Sequence, residues 1–394
     1  FCYLAFNTPH SPWAVPEEYW QRFKDKPLSL RAAGEGNESL DRTRCALAMM
    51  ENLDANVGRV LKRLEDLNLV DNTIVLYFSD NGPNGWRWNG GLKGIKGSTD
   101  EGGVRSVCFL RWPAGGIEPG AVVGEITGAI DLLPTLTALA GIKRVGDKPL
   151  DGRDLSPLLF GKAVAWPDRL LFSHQSGRTS ARSQRFHLDP RGALFDLVHD
   201  PGQQTNIAAE NPAVVARMGE AVAAWRSEVL PQGRDDRPYP VGYAEFPRTP
   251  LPARDGIPHG GIRRSASAPN CSYFVNWTSP RDRITWDIAV NTSGQYEAEI
   301  LYTCPVADAG STIELEFNGA RLTGTVSPGW DPPLYTHQDT LARPPGESQM
   351  KEFRPLYLGV MRLEKGRGLL TLRALDIPRQ RVMDVRQVNL ILRQ

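Results

Sequence analysis

Long apolar runs are missing from this sequence, and so is a strong excess of either charge. No stretch reaches the roughly 18 apolar residues that a membrane-spanning helix needs, so no membrane span is expected. The formal net charge is +1, which favours neither a nucleic-acid-binding protein nor a disordered acidic one. With 394 residues, 41% of them hydrophobic and 23% charged, the composition predicts two or three globular domains with ample core.

Cysteine is also scarce. The chain has five cysteines, which are too few and too scattered for a disulfide scaffold or a zinc site. Cys271 and Cys304 could pair within the last domain, although their spacing alone leaves this open. The sequence begins at Phe1, inside an apolar run, with no methionine or signal peptide before it. We therefore expect the sequence to be the later part of a longer protein.

The most informative stretch runs from Thr73 to Gly103. Its first six residues, 73–78, are β-prone and do not alternate polar with apolar side chains, which is typical of a strand covered on both faces in a parallel sheet. Asp80 and Asn81 follow at the carboxyl end of that strand, where open α/β sheets bind their ligands. A carboxylate beside an amide oxygen suits Ca²⁺ or Mg²⁺. An isolated Asp-Asn-Gly is nevertheless more often a plain turn.

A glycine-rich loop with two lysines, Lys93 and Lys96, continues this stretch and ends in Glu101-Gly102-Gly103. A metal with a lysine close to it is what binding of an oxyanion requires. The ordered string of SDNG, GG, K-G, I-K-G-S-T and E-G-G-V-R resembles the second signature region of the sulfatases, in the alkaline phosphatase superfamily.

The sequence around His10 carries a second resemblance. Residues 1–6 are predicted to form another buried strand, so that His10 lies at its carboxyl end. A lone histidine between prolines is by itself more often a loop residue without a task. The string YLAFNTPHSPWAVPEEY, however, resembles the sulfatase segment in which a strand delivers a histidine to the sulfate ester.

Apolar spacing predicts the elements between and after these motifs. A long amphipathic helix over 39–67 leads into the strand at Thr73 and would complete a βαβ crossover from the first strand. A third strand is predicted over 106–112. A helix starts near Ile130 and ends at Gly141, in a DLLPTLTALAGI string that is familiar from sulfatases.

Short antiparallel strands over 170–174, 185–188 and 193–197, followed by a helix over 213–229, predict a small α+β unit. This unit resembles the sulfatase C-terminal subdomain, in which LFDLVHDPGQQTNIA is a recurrent pattern. Two of its histidines, at positions 174 and 187, could border a substrate cleft, but a purely structural role is the more ordinary interpretation.

The last third of the chain changes character. Residues 230–261 are rich in Pro, Gly and Arg and lack periodicity, which predicts a linker. Beyond them, alternation such as that over 294–302 and 312–317 predicts seven or eight strands and a β-sandwich. Its aromatic side chains could stack on sugar rings. The more ordinary interpretation is that they form the core of the domain. They are Tyr273, Trp277, Trp286, Tyr296, Trp330 and Tyr335.

The expected fold class is therefore α/β, followed by an all-β domain. Residues 1–145 would be the C-terminal part of a sulfatase-type α/β sandwich and 146–232 its small α+β subdomain. A linker over 233–262 would lead to a β-sandwich domain over 263–394, for which carbohydrate binding stays open because fold alone does not imply function.

The resemblance implies roles for individual residues. Asp80 and Asn81 match the later metal ligands of the family, usually for Ca²⁺, with Mg²⁺ as the alternative. Lys96 matches the lysine that binds the sulfate, and His10 matches the histidine that contacts the sulfate or the leaving oxygen. Lys93 is the weaker candidate because it is displaced by three residues.

The family's nucleophile is missing from the sequence. It is a formylglycine made from Cys or Ser in a C/S-x-P/A-x-R motif, and neither Cys304-Pro305 nor Ser267-Ala268-Pro269 completes that motif. The first pair of acidic metal ligands is absent too. The resemblance thus covers residues 1–230 and implies that the nucleophile lies in a missing N-terminal part. Asp100 also departs from the family, which often has an aromatic residue there.

As a whole, the resemblance implies an arylsulfatase-type hydrolase that acts on a sulfated small molecule or polysaccharide in the periplasm or outside the cell. A related phosphodiesterase or phosphonate hydrolase is one alternative, although the D-x-x-x-H pattern typical of those enzymes is not evident. A non-catalytic carbohydrate-binding protein is another, although the intact candidate site residues argue against it. The substrate's linkage and the oligomeric state stay open.

Overall fold

The computed structural model describes residues 1–29, 38–162, 165–230, 233 and 235–393. The chain divides into two compact units. Unit 1 contains residues 1–10 and 15–233, and unit 2 contains residues 11–14 and 234–394. Within the described ranges, no helix has the length and apolar character that crossing a membrane would need.

The helices of unit 1 range from single turns to one long amphipathic helix. Their bounds are Glu17–Phe23 (α1), Leu40–Asp66 (α2), Glu101–Val104 (α3), Leu132–Leu139 (α4), Ser156–Leu159 (α5) and Pro212–Val229 (α6). The side chain of Ser39 caps α2 by accepting a hydrogen bond from the Arg42 amide, as such N-cap residues do. Buried Cys45, Met49 and Leu53 mark its apolar face, which confirms the predicted helix.

The strands of unit 1 form two separate sheets. Their bounds are Val75–Phe78 (β1), Cys108–Arg111 (β2), Leu171–Gln175 (β3), Arg178–Arg182 (β4), Phe186–Leu188 (β5) and Leu194–Asp196 (β6). Strands β1 and β2 make an antiparallel pair, and β3 to β6 make a four-stranded antiparallel sheet in sequential order. The strands β3, β5 and β6 and the helix α6 confirm the predicted α+β unit.

Two expectations for the first part of unit 1 are wrong. Residues 1–6 are exposed and form no strand. Strand β1 is paired antiparallel with β2, with Leu76 opposite Leu110, so α2 is not the crossover of a βαβ unit. An unbroken apolar run indicates a preference for burial, but it does not fix the direction of the neighbouring strand.

The small sheet packs on α6 through a compact apolar cluster. Ala181 of β4, Leu188 of β5, Leu194 of β6 and Met218 of α6 are each at most 5% exposed. Strand β4 was not predicted, because its sequence Arg-Thr-Ser-Ala-Arg contains a single apolar residue. Tertiary pairing on both sides, rather than local propensity, makes it a strand.

Unit 2 consists mainly of strands. Their bounds are Tyr239–Val241 (β7), Arg248–Pro252 (β8), Ile257–His259 (β9), Arg263–Arg264 (β10), Phe274–Val275 (β11), Arg283–Val290 (β12), Gly294–Thr303 (β13), Thr312–Phe317 (β14), Ala320–Thr325 (β15), Arg354–Leu363 (β16), Gly366–Asp376 (β17) and Asp384–Leu392 (β18). The long strands β12, β13, β14, β16, β17 and β18 fall where alternation predicted them.

These strands, as described, form two six-stranded sheets. One has the order β10-β11-β18-β13-β16, with β8 also on β18. The other has the order β15-β14-β17-β12-β7, with β9 also on β12. Side chains from both sheets, such as Trp286 of β12 and Tyr296 of β13, are buried in one shared core. The predicted β-sandwich is therefore confirmed.

The interpretation of residues 233–262 as a linker is wrong for much of that stretch. Strands β7 and β9 pair with β12, and β8 pairs with β18, so these residues are part of the sandwich. Proline lacks an amide donor and is tolerated mainly on edge strands. Short strands of this kind show no clear alternation of polar and apolar residues, so they could not be recognised in a Pro-rich sequence.

Most of the aromatic side chains considered for sugar stacking belong to the core. Tyr273, Trp277, Trp286 and Tyr296 are at most 6% exposed. The ring of Trp330 is covered by the guanidinium of Arg354, whose central carbon lies 3.3 Å from the ring centroid. These contacts fit the ordinary structural interpretation.

The five cysteines all lie in the described ranges, and none of them forms a disulfide bond. Cys304 is fully buried, whereas Cys271 is half-buried. Burial and the nearby Asp308 carboxylate raise the pKa of the Cys304 thiol to about 11, so it stays protonated at neutral pH and behaves as a small apolar side chain. The structure therefore does not contain the disulfide that the spacing left open.

Candidate active site

Asp80 and Asn81 lie in the turn that follows β1. Ser79 fixes the start of this turn, because its amide donates to the Val107 carbonyl at 3.3 Å and its own carbonyl accepts from Ser106 Oγ at 2.6 Å. Asp80 is exposed and Asn81 half-buried. Among the described residues, neither side chain has a hydrogen-bond or ion-pair partner, so their oxygens are available to a cation.

Close glycine packing holds the following loop against this turn. The Gly82 amide donates to the Gly103 carbonyl at 2.9 Å, and the Lys96 amide donates to the Pro83 carbonyl at 3.0 Å. A Cβ on Gly82 would lie 1.8 Å from the Gly102 carbonyl oxygen, so no larger residue fits there. The backbone of Lys96 is thereby fixed beside the turn that carries the two candidate metal ligands.

The two lysines of the loop differ in their surroundings. Lys93 Nζ lies 3.5 Å from a carboxylate oxygen of Asp100 and 4.5 Å from the centroid of the Phe195 ring, so its charge is already compensated. The ammonium of Lys96, which is half-buried, has no such partner in the part of the chain that the structure describes. Of the two lysines, Lys96 is therefore the one whose charge has no counter-ion among the described residues.

His10 lies in the loop that follows residues 1–6. It is exposed, and its amide donates to the Asn7 carbonyl at 2.8 Å, which closes a tight turn at this histidine. Its segment differs from the predicted one, because the preceding residues form no strand. The role of His10 toward a sulfate ester stays a prediction.

The other two candidate histidines have structural surroundings. His174 Nδ1 lies 2.7 Å from Thr179 Oγ1 on the neighbouring strand. His187 is 1% exposed and its Nδ1 lies 3.5 Å from Glu101 Oε1. A fully buried ring cannot border a cleft, so the structural interpretation holds for His187.

A buried ionic cluster around Glu101 was missed by sequence reasoning. Glu101 is 2% exposed, and its carboxylate accepts a hydrogen bond from Arg182 Nε at 2.8 Å. Burial raises the pKa of this carboxyl, but contacts with His187 and Arg182 outweigh the burial and place the pKa below its ordinary value. The group is therefore ionised at neutral pH. The only signal in the sequence was one acidic residue in a glycine-rich segment.

A complete metal site cannot be built from the described residues alone. Among them, no group of three or more His, Cys, Asp or Glu side chains is arranged to hold an ion. Asp80 and Asn81 offer the hard oxygen donors that Ca²⁺ and Mg²⁺ prefer, but Ca²⁺ takes about 6–8 oxygens. The chemistry of the two residues fits part of such a coordination shell, to which other donors would have to contribute.

Comparison with known proteins shows what this region is similar to. The family model described as Sulfatase matches residues 1–142. The chain is 33% identical to the steryl-sulfatase of Mus musculus over 232 residues, which cover 46% of this chain and 37% of that protein. It is 32% identical to arylsulfatase A of Homo sapiens over 261 residues, which cover 57% of this chain and 50% of that protein.

The crystal structure of Ps i-CgsB matches with a TM-score of 0.49 and 26% identity, over 57% of this chain and 49% of that one. The chain spans half or less of the length of the two curated relatives named above. The Sulfatase family model matches residues 1–142, which confirms the resemblance to sulfatases. His10, Asp80, Asn81 and Lys96 all lie within this range.

Proposed function

We propose that this chain is part of a sulfatase that hydrolyses the sulfate ester of an aryl compound or a carbohydrate. The observation that carries the proposal is the difference between two neighbouring lysines. Lys93 is compensated by Asp100, whereas Lys96 is held in a glycine-packed loop with no partner among the described residues. An ammonium fixed without a counter-ion suits a bound sulfate.

Asp80 and Asn81 would hold the metal, Ca²⁺ or alternatively Mg²⁺, and the bound cation would supply positive charge against the sulfate oxygens. The ammonium of Lys96 would place a second positive charge beside the sulfate. It would stabilise the negative charge that develops on the sulfate in the transition state. His10 is proposed to contact the sulfate or to donate a proton to the leaving oxygen. Binding and proton transfer are thus the tasks of this chain's own residues.

The nucleophile is proposed to be a formylglycine contributed from outside residues 1–394. Support comes from the sequence, in which the C/S-x-P/A-x-R motif is absent. Purified residues 1–394 should then not hydrolyse an aryl sulfate, because nothing supplies the attacking oxygen. Turnover by this polypeptide that survives removal of contaminants would contradict the nucleophile assignment.

We also propose that the complete protein acts in the periplasm or outside the cell, which cell fractionation would test.

Substrate class is tested with the protein at its full encoded length. We expect hydrolysis of 4-nitrophenyl sulfate, and kcat/KM values at least about 100-fold lower with 4-nitrophenyl phosphate and with an aryl phosphonate monoester. Faster hydrolysis of the phosphonate would assign the protein to a different reaction of the same metal-dependent type. No hydrolysis of any ester by protein with metal bound would contradict the proposal of an enzyme.

A further inference from the structure

Three side chains of β4 contact the loop that carries Lys96. They alternate along the strand and therefore point to the same side of the sheet, and their partners alternate along the loop in the same direction. The contacts are Arg178 Nη2 with the Gly97 carbonyl (2.8 Å), Ser180 Oγ with the Thr99 carbonyl (3.1 Å) and Arg182 Nε with the Glu101 carboxylate (2.8 Å). We call these three contacts the β4 ladder.

The β4 ladder is anchored at one end in the protein interior. Its last contact involves the fully buried Glu101, whose amide also donates to Gln203 Oε1 at 2.8 Å. The buried ring of His187 lies beside the same carboxylate. A buried charge-assisted contact with several partners is strong and fixed in geometry, so this end of the loop cannot shift without breaking it.

The other end of the β4 ladder is exposed and lies next to the lysine. Arg178 is exposed and holds the carbonyl of Gly97, the residue that follows Lys96. Gly97 has a φ of +90°, a conformation that glycine adopts without strain. Because glycine is conformationally free, the contact with Arg178 adds a restraint on this peptide to those of the neighbouring backbone hydrogen bonds.

We propose that β4 is the positioning element for the sulfate-binding lysine, and that Arg178 is the positioning residue nearest to it. The β4 ladder fixes the backbone of residues 97–101 and thereby holds the Lys96 ammonium where the sulfate binds. This inference rests on the function proposed above for Lys96. Arg178 acts through the backbone and does not touch the substrate, so it is not a catalytic residue.

Amide hydrogen exchange of the full chain tests the proposal without any substrate. The amides of Lys96 and Ser98 are hydrogen-bonded to the carbonyls of Pro83 and Ile95, each at 3.0 Å, so both should be protected. In Arg178→Met, exchange at these amides should become at least about fivefold faster, since the loop opens locally. Unchanged exchange at both amides would overturn the proposal.

Arg191→Met is the matched control. Arg191 is an exposed arginine of the same sheet, in the connection between β5 and β6, and its side chain has no hydrogen-bond or ion-pair partner among the described residues. This variant removes the same charge and should leave exchange at residues 96–98 unchanged. If it accelerates exchange there as Arg178→Met does, the effect is not specific to the ladder and the proposal fails.

A double-mutant cycle in the full-length enzyme tests whether Arg178 acts through Lys96. We expect Arg178→Met to lower kcat/KM about tenfold in the wild-type background, because small misplacements of a charge are costly. In the Lys96→Ala background the same change should cost less than about twofold. An equal loss in both backgrounds would show a direct electrostatic or general structural role and overturn the proposal.

The two proposals fail in distinguishable ways. If Lys96→Ala alone leaves kcat/KM unchanged, the function proposed for the lysine is wrong, whatever exchange shows. If Lys96→Ala is damaging but Arg178→Met changes neither exchange nor activity, the function stands and the positioning role of β4 is wrong.

Discussion

Unit 2 is held together by apolar packing, whereas the loop of unit 1 that carries the candidate site is held by polar contacts and glycine packing. In unit 2, Ile284, Tyr296 and Leu390 are completely buried in a core shared by two sheets. In unit 1, the loop over 82–103 is fixed by backbone hydrogen bonds and by the β4 ladder. Directional contacts can leave a charge such as that of Lys96 without a partner.

The difference predicts how substitutions in the two regions will act. Apolar packing is not directional and tolerates exchange of side chains of similar volume. A polar site loses its geometry when one partner is removed, because a buried charge without a partner lowers the free energy of unfolding. Substitutions in unit 2 should therefore change stability and leave the site chemistry intact, and substitutions in the loop should do the reverse.

The largest expected effect is that of Asp80→Ala in the full-length protein. If Asp80 is a ligand of the proposed Ca²⁺, the variant should lose this ion and nearly all activity, because too few hard oxygens would remain around it. Its unfolding midpoint in metal-free buffer should match that of the wild type, since Asp80 is exposed and its side chain has no hydrogen-bond or ion-pair partner among the described residues. Elemental analysis decides the point, and unchanged metal content would remove Asp80 from the ligand set.

Asp131→Asn tests the buried polar contacts of unit 1 away from the site. Arg169 Nη1 donates to Asp131 Oδ1 at 2.8 Å, and the backbone amides of Arg153 and Gly128 also donate to this carboxylate. Removing the charge of one partner in a buried ion pair lowers the free energy of unfolding by about 3–5 kcal/mol. Activity per folded molecule should stay within about twofold, because the mutation does not touch the loop.

The pH dependence sharpens that prediction. Burial raises the pKa of Asp131, but the contacts with Arg169 and the two amides outweigh it and lower the pKa overall. A lowered folded-state pKa contributes stability that is present above the ordinary carboxyl pKa of about 3.9 and is lost as the pH falls through the folded-state value. Melting temperatures from pH 7 to pH 3 should therefore fall less steeply in Asp131→Asn. An identical slope in the wild type and the variant would contradict this account.

Ile284→Ala tests the packing of unit 2. Ile284 is fully buried in β12, and removing such a side chain costs about 2–5 kcal/mol of unfolding free energy. Gln295→Ala in β13 is the control, because this exposed side chain has no hydrogen-bond or ion-pair partner among the described residues and should change stability by less than about 0.5 kcal/mol. Denaturant titration measures both. Equal effects would mean that burial does not stabilise the sandwich as described.

Prediction from sequence succeeded where periodicity was strong. Helix α2 and the long sandwich strands follow spacings of 3.6 and two residues, which local patterns reveal. Strand β4 has almost no apolar residues, and β7, β8 and β9 lie in a Pro-rich stretch. Strand β4 is held between its sequence neighbours β3 and β5, whereas β7, β8 and β9 pair with the distant strands β12 and β18. None of these pairings leaves an apolar pattern in the strand's own sequence.

The candidate site shows the same division. The order of motifs along the chain was enough to select Asp80, Asn81 and Lys96 as candidates. The compensation of Lys93 by Asp100 and the β4 ladder could not be predicted, because they depend on side-chain contacts, and those of the ladder join residues 81 positions apart. Whether β1 pairs parallel or antiparallel with its neighbour was also not predictable, because an apolar run indicates only that the strand prefers to be buried.

The kinetics of Lys96→Ala and Lys93→Ala with one aryl sulfate test the central claim most directly. Lys96→Ala should lower kcat/KM by on the order of 10²–10³, the usual loss for a transition-state charge stabiliser. Lys93→Ala should cost about tenfold or less, because its charge is already paired with Asp100. A larger loss for Lys93→Ala than for Lys96→Ala would contradict the account and assign the sulfate to the other lysine.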